Sequence, residues 1–79
     1  MRVRVRFFAG LREQLGAGGE RDVRAGITAG ALWRALVAER PELGDVPVRF
    51  AVNETYVPAS HRLGDGDELA VFPPVSGGR

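Results

Sequence analysis

The chain has 79 residues, 44% of them hydrophobic, with eleven arginines, no lysine, ten acids, one histidine, no cysteine and a net charge of +1. That length supports one domain with a single core and leaves no material for an enclosed cofactor site as well. The balanced charge lacks the electrostatic footprint of a nucleic-acid binder, and with neither disulfide nor Cys/His metal cluster, packing or a partner must supply the stability.

Val3, Val5 and Phe7 alternate with Arg2, Arg4 and Arg6, the period-two pattern of a strand with one buried and one wet face. The arginine stripe reads as a solvated strand face rather than an RNA surface. Alternation at the N-terminus is unlike a continuously apolar signal peptide, and no stretch reaches the roughly 20 apolar residues of a membrane span. With cysteine absent, a soluble cytoplasmic protein is expected, touching no membrane. "AGLREQLGAGGE" follows as a short helical turn with Leu11 and Leu15 four apart, closed by glycines. "ERDVRA" then reads as a second strand, "GAGG" helping the chain reverse direction.

Thr28 is placed to cap a helix, with Ile27 and Leu32 forming a hydrophobic staple. Leu32 and Leu36, with Trp33 and Val37, give this helix its apolar stripe. It ends near Arg40, because Pro41 disfavours helical geometry in the residue before it. Phe50 and Val52 mark a third strand, "NET" a turn, Tyr56 and Val57 a short fourth, and Leu69 and Val71 the last strand after "GDGDE". Strand, strand, helix, strand, short strand, strand predicts an α+β domain in which one main helix covers one face of a mixed sheet. That order fits a β-grasp fold, with the first and last strands as neighbours at the centre. Residues 1–72 are expected to form the domain and 73–79 a tail carrying the diglycine.

The residue inventory removes several chemistries. Without lysine there is no P-loop cradle or Schiff base, and without cysteine no thiolate nucleophile. His61 beside Arg62 reads as a solvated loop residue rather than a general base. Asp65, Asp67 and Glu68 read as turn chemistry rather than a calcium loop. Side-chain parity is more informative. Phe8 falls on the arginine face of the first strand, and Phe72 falls opposite Leu69 and Val71 on the last. If those strands are adjacent and parallel, both aromatics lie together where the tail departs, with Tyr56 placed to join them. An apolar patch rimmed by arginine beside a tail reads as a docking surface. Pro73 and Pro74 end the strand and favour an extended path, so Pro73 to Gly78 would reach about 20 Å at roughly 3 Å per residue. Gly77 and Gly78 let the backbone pass through a slot too narrow for a Cβ. The one group such a tail delivers is its terminal carboxylate, which must be activated, most simply as an acyl-adenylate. No ATP-binding motif is present in the chain, so another protein must be the activator.

"RFFAGLREQLG" at residues 6–16, "VNET" at 52–55 and "GDGDELAVFPPVSGG" at 64–78 resemble the MoaD-type sulfur carriers, the small subunits of molybdopterin synthase within the ubiquitin-like MoaD/ThiS superfamily. The resemblance spans essentially the whole chain. It implies that Gly78 is adenylated by a ubiquitin-activating-like adenylyltransferase, which uses the ATP, and becomes a thiocarboxylate, the carrier itself binding no cofactor. It also implies that the tail enters the large synthase subunit, in a heterotetramer, and gives sulfur to the cyclic pyranopterin precursor. Gly78 then carries the sulfur and Gly77 allows threading. Phe8, Tyr56, Phe72, Pro73, Pro74 and Val75 form the partner interface. Arg79 departs from the pattern, which ends at the second glycine. Either it is removed before activation, or the chain end is a cut or engineered one, or this homologue is not a working carrier. Other readings are a sulfur carrier for thiamin thiazole or tRNA thiolation, a protein modifier joined to target lysines, and a non-catalytic β-grasp interaction module.

Overall fold

Hydrophobic alternation builds β1 (Arg2–Phe7), whose valines and Phe7 are buried while its arginines are exposed. The computed structural model describes residues 1–41 and 47–73. After β1 come α1 (Ala9–Leu15), β2 (Gly18–Asp22), α2 (Ala29–Glu39), β3 (Arg49–Val52), β4 (Thr55–Val57) and β5 (Glu68–Phe72). The strands form one mixed sheet in the order β2-β1-β5-β3-β4. β1 and β5 are parallel neighbours, with Val5 opposite Leu69 and Phe7 opposite Val71, and every other pairing is antiparallel. The expected adjacency of first and last strands is therefore found, β5 being the central strand. No helix among the described residues is long and apolar enough to cross a membrane.

α2 begins where Thr28 predicts. Its Oγ1 accepts from the Ala31 N–H at 3.1 Å, and two further free N–H groups of the first turn, on Ala29 and Gly30, donate to the carbonyls of His61 and Ala59. His61 is half-buried, and its loop holds the helix start through the main chain rather than standing free in solvent. Gly30 is needed at this contact, since a Cβ there would sit 2.9 Å from the Cβ of Ala59. The helix closes at Glu39 with Arg40 as cap, one residue before Pro41.

The core cluster lies on one side of the sheet, and of the other buried side chains Ala51 lies on the opposite face. Val3, Val5, Phe7, Phe50, Val52, Leu69 and Val71 pack with Ile27, Leu32, Trp33 and Leu36 from around α2, Leu11 from α1 and Leu63 from the loop before β5. Trp33 is 8% exposed and Leu36 6%. Trp33 emission should therefore shift to the red on unfolding. Leu36→Ala should cost about 2 to 5 kcal/mol in a urea titration followed by that signal, because it removes buried methyls and leaves a cavity.

The second strand starts earlier than the sequence suggests. It runs from Gly18 to Asp22 rather than from Glu20 to Ala25, so the glycine cluster is part of the strand and not only its approach. Close backbone approach is the reason. Gly18 pairs with Arg6 at a φ of +110°, and a Cβ there would lie 1.9 Å from the Val5 carbonyl oxygen. The β3–β4 turn is also shorter than "NET", being Asn53 and Glu54 alone, both at positive φ, with Thr55 already in β4.

The acidic loop before β5 is tied into this framework. The Asp65 carboxylate accepts from the Arg2 N–H at 2.8 Å and Asp67 from the Gly64 N–H at 2.7 Å. Asn53 connects the turn to the loop, its amide donating to Asp67 and accepting from the Glu68 N–H, both at 3.0 Å. These contacts fix where β5 starts and hence where it delivers its last residue, Phe72.

Candidate functional site

The helices cover most of the core side of the sheet, and the opposite face is largely open. Parity places Arg2, Arg4 and Arg6 of β1, Glu20 and Asp22 of β2, Glu68, Ala70 and Phe72 of β5, Arg49 and Ala51 of β3 and Tyr56 of β4 on that open face. Phe8 follows β1 directly, its N–H donating to the Val71 carbonyl, so its ring stands beside Phe72.

One half of this face is ionic. Arg2 meets Glu20 and Asp22, each at 3.2 Å; Arg4 meets Glu20 at 3.3 Å and Arg6 meets Glu68 at 3.7 Å. Hydrogen bonds from Arg2 and then Arg4 hold the Glu20 carboxyl below its ordinary 4.5. These groups are solvated, so the ladder serves strand register more than stability. A carboxyl with a depressed folded pKa stabilises above its unfolded value and loses that contribution as pH falls through the folded one. Thermal melts of Glu20→Gln should accordingly fall less than those of the parent as pH drops below 4.5.

The other half is aromatic. Phe8 and Phe72 stack with centroids 5.1 Å apart and planes inclined by 26°. Tyr56, 71% exposed, lies 5.7 Å from Phe72 at 45°. Phe72 touches both other rings and forms the middle of the patch. Ala51 and Ala70 keep the floor beside the rings low. The guanidinium of Arg6 sits 5.2 Å from the Phe8 centroid, held there from its other side by Glu68.

Phe8, Tyr56 and Phe72, separated by up to 64 positions in the sequence, are thus brought together, and half-buried Pro73 follows Phe72 directly. Pro74, Val75, Gly77, Gly78 and Arg79 lie outside the described residues. No group of three or more His, Asp or Glu side chains among the described residues could hold a metal ion. Sequence reading missed Arg49, which lies directly across from Phe72. Its position follows from the antiparallel register of β3 and β5, which no local pattern announces.

Residues 5–78 match the ThiS family. The chain belongs to that family. It is 39% identical over 80 residues to the molybdopterin synthase sulfur carrier subunit of Escherichia coli K12, covering 96% of this chain and 99% of that one. Among solved structures it resembles small archaeal modifier protein 1 of Haloferax volcanii, with a TM-score of 0.77 and 30% identity over 94% of this chain and 98% of that one. It also resembles a chain in the complex of subunits 1 and 2 of the molybdopterin-converting factor from Helicobacter pylori, with a TM-score of 0.68 and 28% identity over 99% of this chain and 100% of that one. The fold is the ubiquitin-like β-grasp.

Proposed function

We propose that the protein is the sulfur carrier subunit of a molybdopterin synthase. One observation carries the reading: β5 ends at Phe72 in the middle of an outward aromatic patch, so the diglycine segment departs beside a surface suited to hold a partner. The likeness to named sulfur carrier subunits supports it, as does the likeness to a subunit in a two-subunit complex.

In this reading residues 1–72 dock and residues 73–78 deliver, once hydrolysis of the Gly78–Arg79 peptide bond has freed the Gly78 carboxylate. A separate adenylyltransferase brings the Gly78 carboxylate to ATP, forming an acyl-adenylate and releasing pyrophosphate. Sulfur at the sulfide level, supplied by a partner, then attacks the acyl carbon, and AMP leaves as the thiocarboxylate forms. Pro73, Pro74 and Val75 lead it from the patch into the large subunit, Gly77 passing through the narrowest point. There the sulfur goes to the cyclic pyranopterin precursor. The synthase is a cytoplasmic heterotetramer, and the carrier binds no cofactor of its own.

The test is reconstitution. Carrier bearing a thiocarboxylate at Gly78, mixed with the large subunit from the same organism, should convert the precursor and return with oxygen in place of sulfur, read by mass spectrometry. Carrier with an ordinary carboxylate should convert none. Sulfur that stays on the carrier would refute the reading. The likeness to a protein named as a modifier favours a second one, in which lysine amines of other proteins attack the same adenylate. Having no lysine of its own, the chain would then form single attachments rather than polymers, visible as conjugates of one added mass.

A further inference from the structure

Among the described residues the open face carries four arginines, and three of them are spoken for. Arg2, Arg4 and Arg6 face Glu20, Asp22 and Glu68, three charges against three. Arg49 is different. It is exposed, lies directly across from Phe72, and meets no carboxylate among the described residues. The ladder of β1, β2 and β5 is internally balanced and projects little field, whereas Arg49 stands beside the apolar rings with no balancing carboxylate among the described residues. A charge at the border of an apolar patch acts over distance where no carboxylate among the described residues cancels it.

We infer that Arg49 steers docking, and that the partner surface receiving Phe72 sets a carboxylate opposite it. The inference rests on the proposed docking of the aromatic patch to the large subunit and adds the charge that surface must carry. Charge complementarity at the border of an interface governs how fast partners meet and in which orientation, while buried aromatic anchors govern how long they stay. Arg49 and Phe72 therefore divide the work: the first sets association, the second residence. The balanced ladder contributes orientation by keeping like charges off its own half.

Surface-bound large subunit from the same organism, probed with this chain by stopped-flow or surface resonance, separates the two roles. Arg49→Gln should slow association about tenfold at low ionic strength and leave dissociation nearly unchanged. That difference should shrink between about 0.1 M and 1 M salt, as the Debye length falls from about 10 Å to about 3 Å. Arg49→Glu should slow association further, since it sets like charges face to face. Arg34→Gln is the control, an exposed arginine on α2 at the covered side of the sheet, and should change neither rate. Unchanged Trp33 emission in each variant shows that the fold is kept. Association of Arg49→Gln equal to that of Arg34→Gln, with Phe72→Ala still dissociating faster, overturns the steering role and leaves the docking reading standing. Phe72→Ala and Arg49→Gln both binding like the parent overturns the two together.

Discussion

Phe72→Ala should weaken binding to the large synthase subunit by about 2 to 4 kcal/mol, roughly 30- to 1,000-fold in Kd, with the fold intact. Phe72 is the ring that both Phe8 and Tyr56 touch, so its loss removes the centre of the patch and leaves the outer rings without lateral support. Central aromatics that become fully desolvated on docking are the usual hot spots of an interface. The fold should survive because β5 contributes to the core through Leu69 and Val71, which are fully buried on the opposite face, while Phe72 is only half-buried. Phe8→Ala should cost less, about 1 to 3 kcal/mol, and the double variant less than the sum, because the two rings stack on each other. Isothermal calorimetry gives the affinities and Trp33 emission the control for folding. If both single variants bind like the parent, the patch is not the interface.

How much of this was legible depended on whether the signal was local. β1, α2 and β5 declare themselves through period-two alternation, a threonine cap and a closing proline, each readable within a few residues. The start of β2 does not, since Gly18 and Gly19 carry no hydrophobic pattern and their strand role comes from backbone approach to β1. Asn53 is similar: its turn is legible, but its side chain's bridge to Asp67 joins segments that only the fold brings together. Phe8 and Phe72 were legible by parity because the rule fixes a face without knowing the neighbour. What parity alone does not give is the parallel register that stacks them, or the antiparallel one that sets Arg49 across from Phe72. Only Pro73 of the tail lies among the described residues, so the delivery half of the site is read from residue types and the docking half from geometry.

A chain whose last residue is Gly78 should be adenylated and thiocarboxylated by the cognate activating enzyme, and a chain that keeps Arg79 should not. In the proposed function the carboxylate would meet the α-phosphate of ATP inside the partner, at the end of a passage that admits bare backbone. Arg79 moves that carboxylate on by about 3.3 to 3.6 Å and brings a long side chain and a guanidinium to the point where the passage is narrowest. A buried charge without a partner costs about 3 to 5 kcal/mol, which slows adenylation roughly 10²- to 5 × 10³-fold before any steric term is added. Two variants separate the causes. Arg79→Gly keeps the extra length but removes charge and bulk, so any recovery over Arg79 measures those two. Gly77→Val in a chain ending at Gly78 lacks the extra length and restores bulk two residues earlier, where a branched Cβ should block threading as fully as Arg79 does. Pyrophosphate release follows the first step, and mass spectrometry the exchange of oxygen for sulfur in the second. If the Arg79 chain is adenylated as fast as the chain ending at Gly78, the passage tolerates a full side chain. The threading role proposed for Gly77 and Gly78 would then lie in sulfur delivery to the large subunit rather than in activation.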